Sequence, residues 1–150
     1  RRIRMDTRFP RTVSVLVGDD DVAVRESVVA ILARRPLRVV TASSGDHALR
    51  VLLSAPIDLS FLDVEMPGMT GIEVLRRYAT GPFIAGPAGP AGLPVRASPR
   101  RLMPTIFMSG NRDARIRHDC ESLGRSFLDK PFGADDLREA VDRILADLTF

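Results

Sequence analysis

The chain has 150 residues, 45% of them apolar, which suits one compact domain with a core of its own. No apolar run approaches membrane-spanning length and nothing resembles a signal peptide, so a cytoplasmic protein is expected. The single cysteine, Cys120, excludes an intramolecular disulfide and a cysteine-built metal cluster. The net charge of +3 belongs to the first residues: Arg1, Arg2, Arg4, Arg8 and Arg11 face only Asp6, and the remainder carries 17 basic and 18 acidic side chains. We expect a basic, disordered tail over residues 1–12 and a near-neutral body without the basic face that direct nucleic-acid binding needs.

In chain order, Val13 to Val17 reads as a β-rich strand that ends at Gly18 and then Asp19-Asp20-Asp21. Asp21 can cap the next helix, where Val24, Val28, Ile31 and Leu32 recur at helical spacing up to Arg34-Arg35-Pro36. Leu37 to Ala42 is a second strand. Ser43 or Ser44 opens a helix with Ala48, Leu49, Leu52 and Leu53 inward, and Pro56 ends it. Ile57 to Leu62 is apolar at nearly every position, the pattern of a buried strand, and Asp63 sits where it runs out. Pro67 and Gly68 stop the strand, and Thr70 can cap a helix from Gly71 that stops near Tyr78.

Residues 81–103 break the pattern with Pro82, Pro87, Pro90, Pro94 and Pro99 among four glycines, which reads as an exposed insertion. Pro104 to Ser109 restores a strand, followed by a polar helix from about Arg112 to Leu123 with Gly124 at its C-cap. Ser126 to Leu128 is a short strand ending at Asp129-Lys130-Pro131, and Gly133 to Leu148 is the last helix. Five strand–helix pairs in alternation, with strands apolar enough for cover on both faces, predict a doubly wound α/β fold on a parallel sheet.

Four of the five strands end in polar groups: Asp19-Asp20, Asp63, Ser109 and Lys130. Right-handed crossovers bring these ends to one edge of the sheet, where ligands collect in open α/β folds. Taken alone, Asp63 reads equally as a loop cap and as a site. Crowded carboxylates repel and call for a cation; oxygen donors without nearby His or Cys favour a hard one, Mg²⁺. Mg²⁺ held by carboxylates takes phosphate as a further ligand, a lysine and a hydroxyl can hold the other oxygens, and Asp63 is then a nucleophile for a phosphoryl group. Lys130 is the one lysine among 22 basic residues, in a chain that otherwise uses arginine.

Val17-Gly18-Asp19-Asp20 with Arg25 downstream, Asp63-Val-Glu-Met-Pro-Gly-Met-Thr-Gly71, Ser109-Gly110 and Lys130-Pro131-Phe132 resemble the receiver domain of bacterial two-component response regulators. The resemblance runs from about Val13 to Leu148 and implies a flavodoxin-like (βα)5 sheet in strand order 2-1-3-4-5, with residues 13–150 as one receiver domain. It implies Asp63 as phosphoacceptor and Mg²⁺ held by Asp19, Asp20, Asp63 and the backbone carbonyl of Glu65. Lys130 and Ser109 would hold the phosphoryl group, Phe127 would change rotamer in step, and Glu65 and Asn111 would tune the lifetime of the acyl phosphate. The implied partners are a sensor histidine kinase or phosphotransfer protein and, after phosphorylation, a second copy of the chain; no membrane is implied.

The sequence departs from the family pattern at three places. Gly18 replaces a larger apolar residue, which should loosen the end of the first strand; the 81–103 segment is long; and the stretch from Gly124 to Lys130 is one residue short. Two other readings stay open: a Mg²⁺-dependent aspartyl-phosphate phosphatase with Glu65 as general acid, and a receiver-like interaction module that works without phosphorylation. The main reading makes the chain a self-phosphorylating switch rather than a conventional enzyme. His47, His118 and Cys120 lack the spacing of metal ligands and read as surface and core positions.

Overall fold

The computed structural model describes residues 12–80, 101–124 and 126–148. Ten elements alternate along the chain: β1 (Val13–Gly18), α1 (Val22–Leu32), β2 (Leu37–Ala42), α2 (Gly45–Ser54), β3 (Leu59–Asp63), α3 (Gly71–Thr80), β4 (Thr105–Ser109), α4 (Ala114–Leu123), β5 (Ser126–Asp129) and α5 (Ala134–Asp147). The strands form one parallel sheet in the order β2-β1-β3-β4-β5, the expected doubly wound topology.

Alternating side chains build two cores. Val15, Val17, Leu59, Phe61, Ile106 and Met108 face α1 and α5, where Val28, Leu32, Leu137, Val141 and Ile144 meet them. Leu16, Leu62 and Phe107 face α2, α3 and α4, against Ala48, Leu52, Leu75 and Cys120. Every residue of β3 and β4 is buried, as a strand covered on both faces requires. The two hydroxyls in these strands satisfy one another: Ser60 Oγ and Thr105 Oγ1 lie 2.7 Å apart.

The caps follow the sequence. Asp21 accepts from the Ala23 and Val24 amides, Ser44 from His47 and Thr70 from Glu73. Element ends shift by a few residues for local reasons. α1 stops at Leu32, short of Arg35, because Pro36 disfavours helical backbone at the residue before it. α4 starts at Ala114 because Asp113 takes the N-cap and accepts from the Arg115 amide at 2.9 Å. α3 continues past Tyr78 to Thr80.

Two expectations need correction. Gly18 does not loosen β1: it is paired on both sides, with Ala42 and Leu62, and the space a Cβ would take is filled by Leu62 Cδ2 at 3.0 Å and Ala48 Cβ at 3.6 Å. The reading of 81–103 as an exposed insertion extends too far, since Met103 is buried and Leu102 packs on the α2–α4 core. Residues 81–100, and the basic tail apart from Thr12, lie outside the described residues. No helix among the described residues is long and apolar enough to cross a membrane.

Candidate functional site

The register sets the rim. Gly18 pairs with Leu62, Asp63 with Met108 and Ser109 with Asp129, so β1, β3, β4 and β5 all run out at one edge. Asp19, Asp63, Ser109 and Lys130 are carried there by four different strands, and the expected convergence is present.

At the end of β1 the Asp19 amide donates to Ala42 O at 3.1 Å, and Asp19 is fully buried while Asp20 is exposed. Asp19 Oδ1 accepts from the Asp21 amide at 2.9 Å. Asp63 is only 4% exposed, and its Oδ1 accepts from the Glu65 amide at 3.2 Å. The loop behind Asp63 folds back tightly. The Gly71 amide bonds Val64 O, and a Cβ on Gly71 would lie 2.5 Å from Asp63 O. Gly68 turns this loop at φ +79°, a conformation that favours glycine.

The Lys130 amide donates to Ser109 O at 2.9 Å, which fixes the chain just past β5. Lys130 Nζ then bridges two acids, at 2.8 Å from Asp19 Oδ2 and 3.1 Å from Asp63 Oδ2. The lysine therefore reaches the site, whatever the short Gly124–Lys130 connection costs elsewhere. Burial pushes the Asp63 carboxyl up, and the negative charge of Asp19 adds to it; the Lys130 ammonium and the Glu65 amide pull it back only in part, leaving it at about 7. Burial alone would lower the Lys130 ammonium, but its bonds and charge contacts with Asp19 and Asp63 more than offset that and raise it. At neutral pH this leaves a cationic lysine held between two buried acids.

One carboxylate oxygen from each of Asp19, Asp20 and Asp63 lies within 4.8 Å of the others. Three oxygen donors, two buried and one open to solvent, suit a hard divalent cation that keeps water on its outer side. The donor set fits Mg²⁺.

Ser109 is buried at the same rim. Its Oγ accepts from the Asn111 amide at 2.9 Å and donates to Glu65 Oε1 at 3.4 Å. Phe127 is half-buried against the α2–α4 core, and the Arg117 guanidinium sits 5.0 Å from its ring centre. No local spacing signals this contact, since the two residues lie ten apart on different elements. His47 accepts weakly from the Ser43 amide, and Cys120 is a core residue whose thiol burial pushes up to about 11; neither belongs to the rim. A cleft of about 630 Å³ runs along β5 and α5 and is lined by none of the three acids. The chemistry is therefore assigned from the rim geometry, not from cavity size.

Residues 15–83 match the family model described as response regulator receiver domain. That stretch belongs to the response regulator receiver family. This receiver domain is 44% identical over 64 residues to the transcriptional regulatory protein AfsQ1 of Streptomyces coelicolor, a stretch that covers 43% of this chain and 28% of that one. A CheY-like receiver domain protein from Methanospirillum hungatei superposes with a TM-score of 0.72 at 20% identity, over 91% of this chain and 96% of that chain. The Thermotoga maritima response regulator TrrA, solved in complex with Mg(2+)-BeF, superposes at 0.67 with 24% identity, over 89% of this chain and 99% of that one. At such identities the structural likeness speaks for the fold alone. The receiver domain spans under half the length of the first curated relatives that it matches.

Proposed function

We propose that this receiver domain accepts a phosphoryl group on Asp63 from the phosphohistidine of a sensor histidine kinase or phosphotransfer protein. A carboxylate oxygen of Asp63 forms the new P–O bond while the P–N bond to the donor imidazole breaks, and the imidazole departs as the leaving group. The observation that carries this reading is the Lys130 ammonium seated on both Asp19 and Asp63. It keeps a nucleophilic carboxylate and a fixed positive charge together at the rim.

Asp19, Asp20, Asp63 and the backbone carbonyl of Glu65 would hold Mg²⁺, which supplies charge neutralisation for the transferring phosphoryl oxygens. Lys130 balances further charge from the β5 side, and the Ser109 hydroxyl, which donates to Glu65 Oε1 in this structure, would turn toward a phosphoryl oxygen. Such a turn would change the packing around Phe127, with β5 and its flanking helices as the output side. Glu65 and Asn111, which bracket Ser109 in the structure, are the residues proposed to set the lifetime of the acyl phosphate.

The donor's approach is supported by the surface beside Lys130. A groove of about 370 Å³ is lined by Ala23, Val24, Ser27, Pro131 and Phe132, and Val22 at the head of α1 is 54% exposed. An apolar partner face can seat there with its phosphohistidine over Asp63.

The test is incubation with acetyl phosphate and Mg²⁺, read by intact mass. Native protein should gain one phosphoryl group, and Asp63→Asn or chelation of the metal should abolish the gain. A gain that survives Asp63→Asn, or steady turnover of a generic phosphomonoester, overturns the proposal.

A further inference from the structure

The loop that carries two of the three acids has a tie that phosphoryl transfer does not itself require. Arg25, one turn into α1, sends Nη1 back to donate to the main-chain carbonyl of Asp19 at 2.7 Å. The side chain is half-buried, and the bond is short and charge-assisted. The other ties on this loop leave that carbonyl alone: the Asp19 amide bonds Ala42 O, the Asp21 amide bonds Asp19 Oδ1, and Asp21 in turn caps α1. Together they fix the loop's two ends. The peptide between Asp19 and Asp20, whose rotation aims both carboxylates, is fixed by Arg25.

We propose that Arg25 is a positioning residue for the divalent cation: by clasping the Asp19 carbonyl it holds the Asp19 and Asp20 carboxylates in the orientation that binds metal. The inference rests on the reading of the acid cluster as a Mg²⁺ site. It also explains why a guanidinium is placed where simple electrostatics disfavours it. A positive charge near a cation site weakens cation binding by repulsion. Arg25 spends its donor on a carbonyl and, among the described residues, bonds no carboxylate oxygen, so the acids stay free for the metal. Its orienting effect and its charge therefore act in opposite directions, and the sign of a substitution tells which one dominates.

The experiment compares the native chain with Arg25→Met, which keeps an apolar stem and removes the donors, and with Arg25→Lys, which restores a charge and a donor. Mg²⁺ affinity is measured by calorimetric titration, and amide hydrogen exchange at Asp20 and Asp21 is followed in metal-free protein. Arg25→Met should weaken Mg²⁺ binding about tenfold, as losses of groups that orient a metal ligand do, and speed exchange in the loop; Arg25→Lys should recover most of both. Equal or tighter Mg²⁺ binding in Arg25→Met would show that only charge was removed and would overturn the proposal, as would unchanged loop exchange. If the native chain itself takes up no Mg²⁺, the reading of the acid cluster falls and this inference falls with it. If the native chain binds and Arg25→Met binds as well, only the inference falls.

Discussion

Asp63 is held in a state that its surroundings resist. Its carboxyl lies at about 7 in the fold against an ordinary value of 3.8. Between those values the native state keeps a proton that the unfolded chain has released, so stability declines as pH rises through this window and levels off above it. Asp63→Asn removes that penalty. In metal-free buffer the variant should be more stable than the native chain at pH 8, by at most about 4 kcal/mol, with the gap closing toward pH 4. Denaturant unfolding across pH measures this, and a gap that stays constant or widens toward acid would contradict the assignment. Lys130 works against the same strain. Lys130→Ala leaves two buried acids without their ammonium and should slow phosphorylation by acetyl phosphate at least tenfold or so, in line with the loss of one preorganised charge at a reacting centre. Lys130→Arg should restore little, because a planar fork does not fit where one Nζ sits 2.8 Å and 3.1 Å from two oxygens. Asp63 and Lys130 were legible because each stands out in the sequence, one as an acid ending an apolar strand and the other as the sole lysine. Arg117 over Phe127 was not, because a cation over a ring leaves no mark in local spacing.

Among the elements, β3 and the loop to α3 carry Asp63 and Glu65, and their fit is steric. The loop folds so closely that Gly71 faces the Asp63 carbonyl with no room for a methyl group: an added Cβ would lie 2.5 Å from Asp63 O and 3.2 Å from Leu62 Cβ. The backbone cannot yield here as a flexible side chain would. Gly71→Ala should therefore cost about 1–3 kcal/mol in thermal or denaturant unfolding, in the range of overpacking, and should lower Mg²⁺ affinity as well by displacing Asp63. An alanine variant as stable as the native chain would show that the loop relaxes more freely than this contact allows. The sequence marked this element well, since Thr70 and Gly71 announce the helix start and the cap bond is present. Where helix ends were misplaced, the cause lay in short-range competition: Asp113 serves as N-cap where the helix was expected from about Arg112, and Pro36 ends α1 one turn early. Gly18 misled in a different way. Its missing side chain is replaced by Leu62 from the neighbouring strand, a compensation that only the three-dimensional pairing reveals.

At the scale of the molecule, the parallel sheet and its shared rim follow from five alternating strand–helix pairs and right-handed crossovers and could be read without contact information, while the strand order came from the resemblance to receiver domains. How firmly the sheet holds the rim could not, because that depends on the two cores on either side of it. Phe107 is fully buried in the core facing α2, α3 and α4; it pairs with Phe127 on β5, and its ring leaves Gly124 no space for a Cβ. It lies two residues before Ser109, while Asp63 is paired with Met108, whose side chain faces the opposite core. Phe107→Leu should therefore lower global stability by about 1–2 kcal/mol while leaving a single cooperative transition. Below that transition, phosphorylation of Asp63 by acetyl phosphate should keep nearly its native rate, because the acids and Lys130 are anchored through backbone bonds at the rim and not through the Phe107 ring. Unfolding curves and phosphorylation rates on one preparation separate the two effects. Loss of the rate with stability intact would mean that the α2–α4 core, and not the strand ends, sets the geometry of the site.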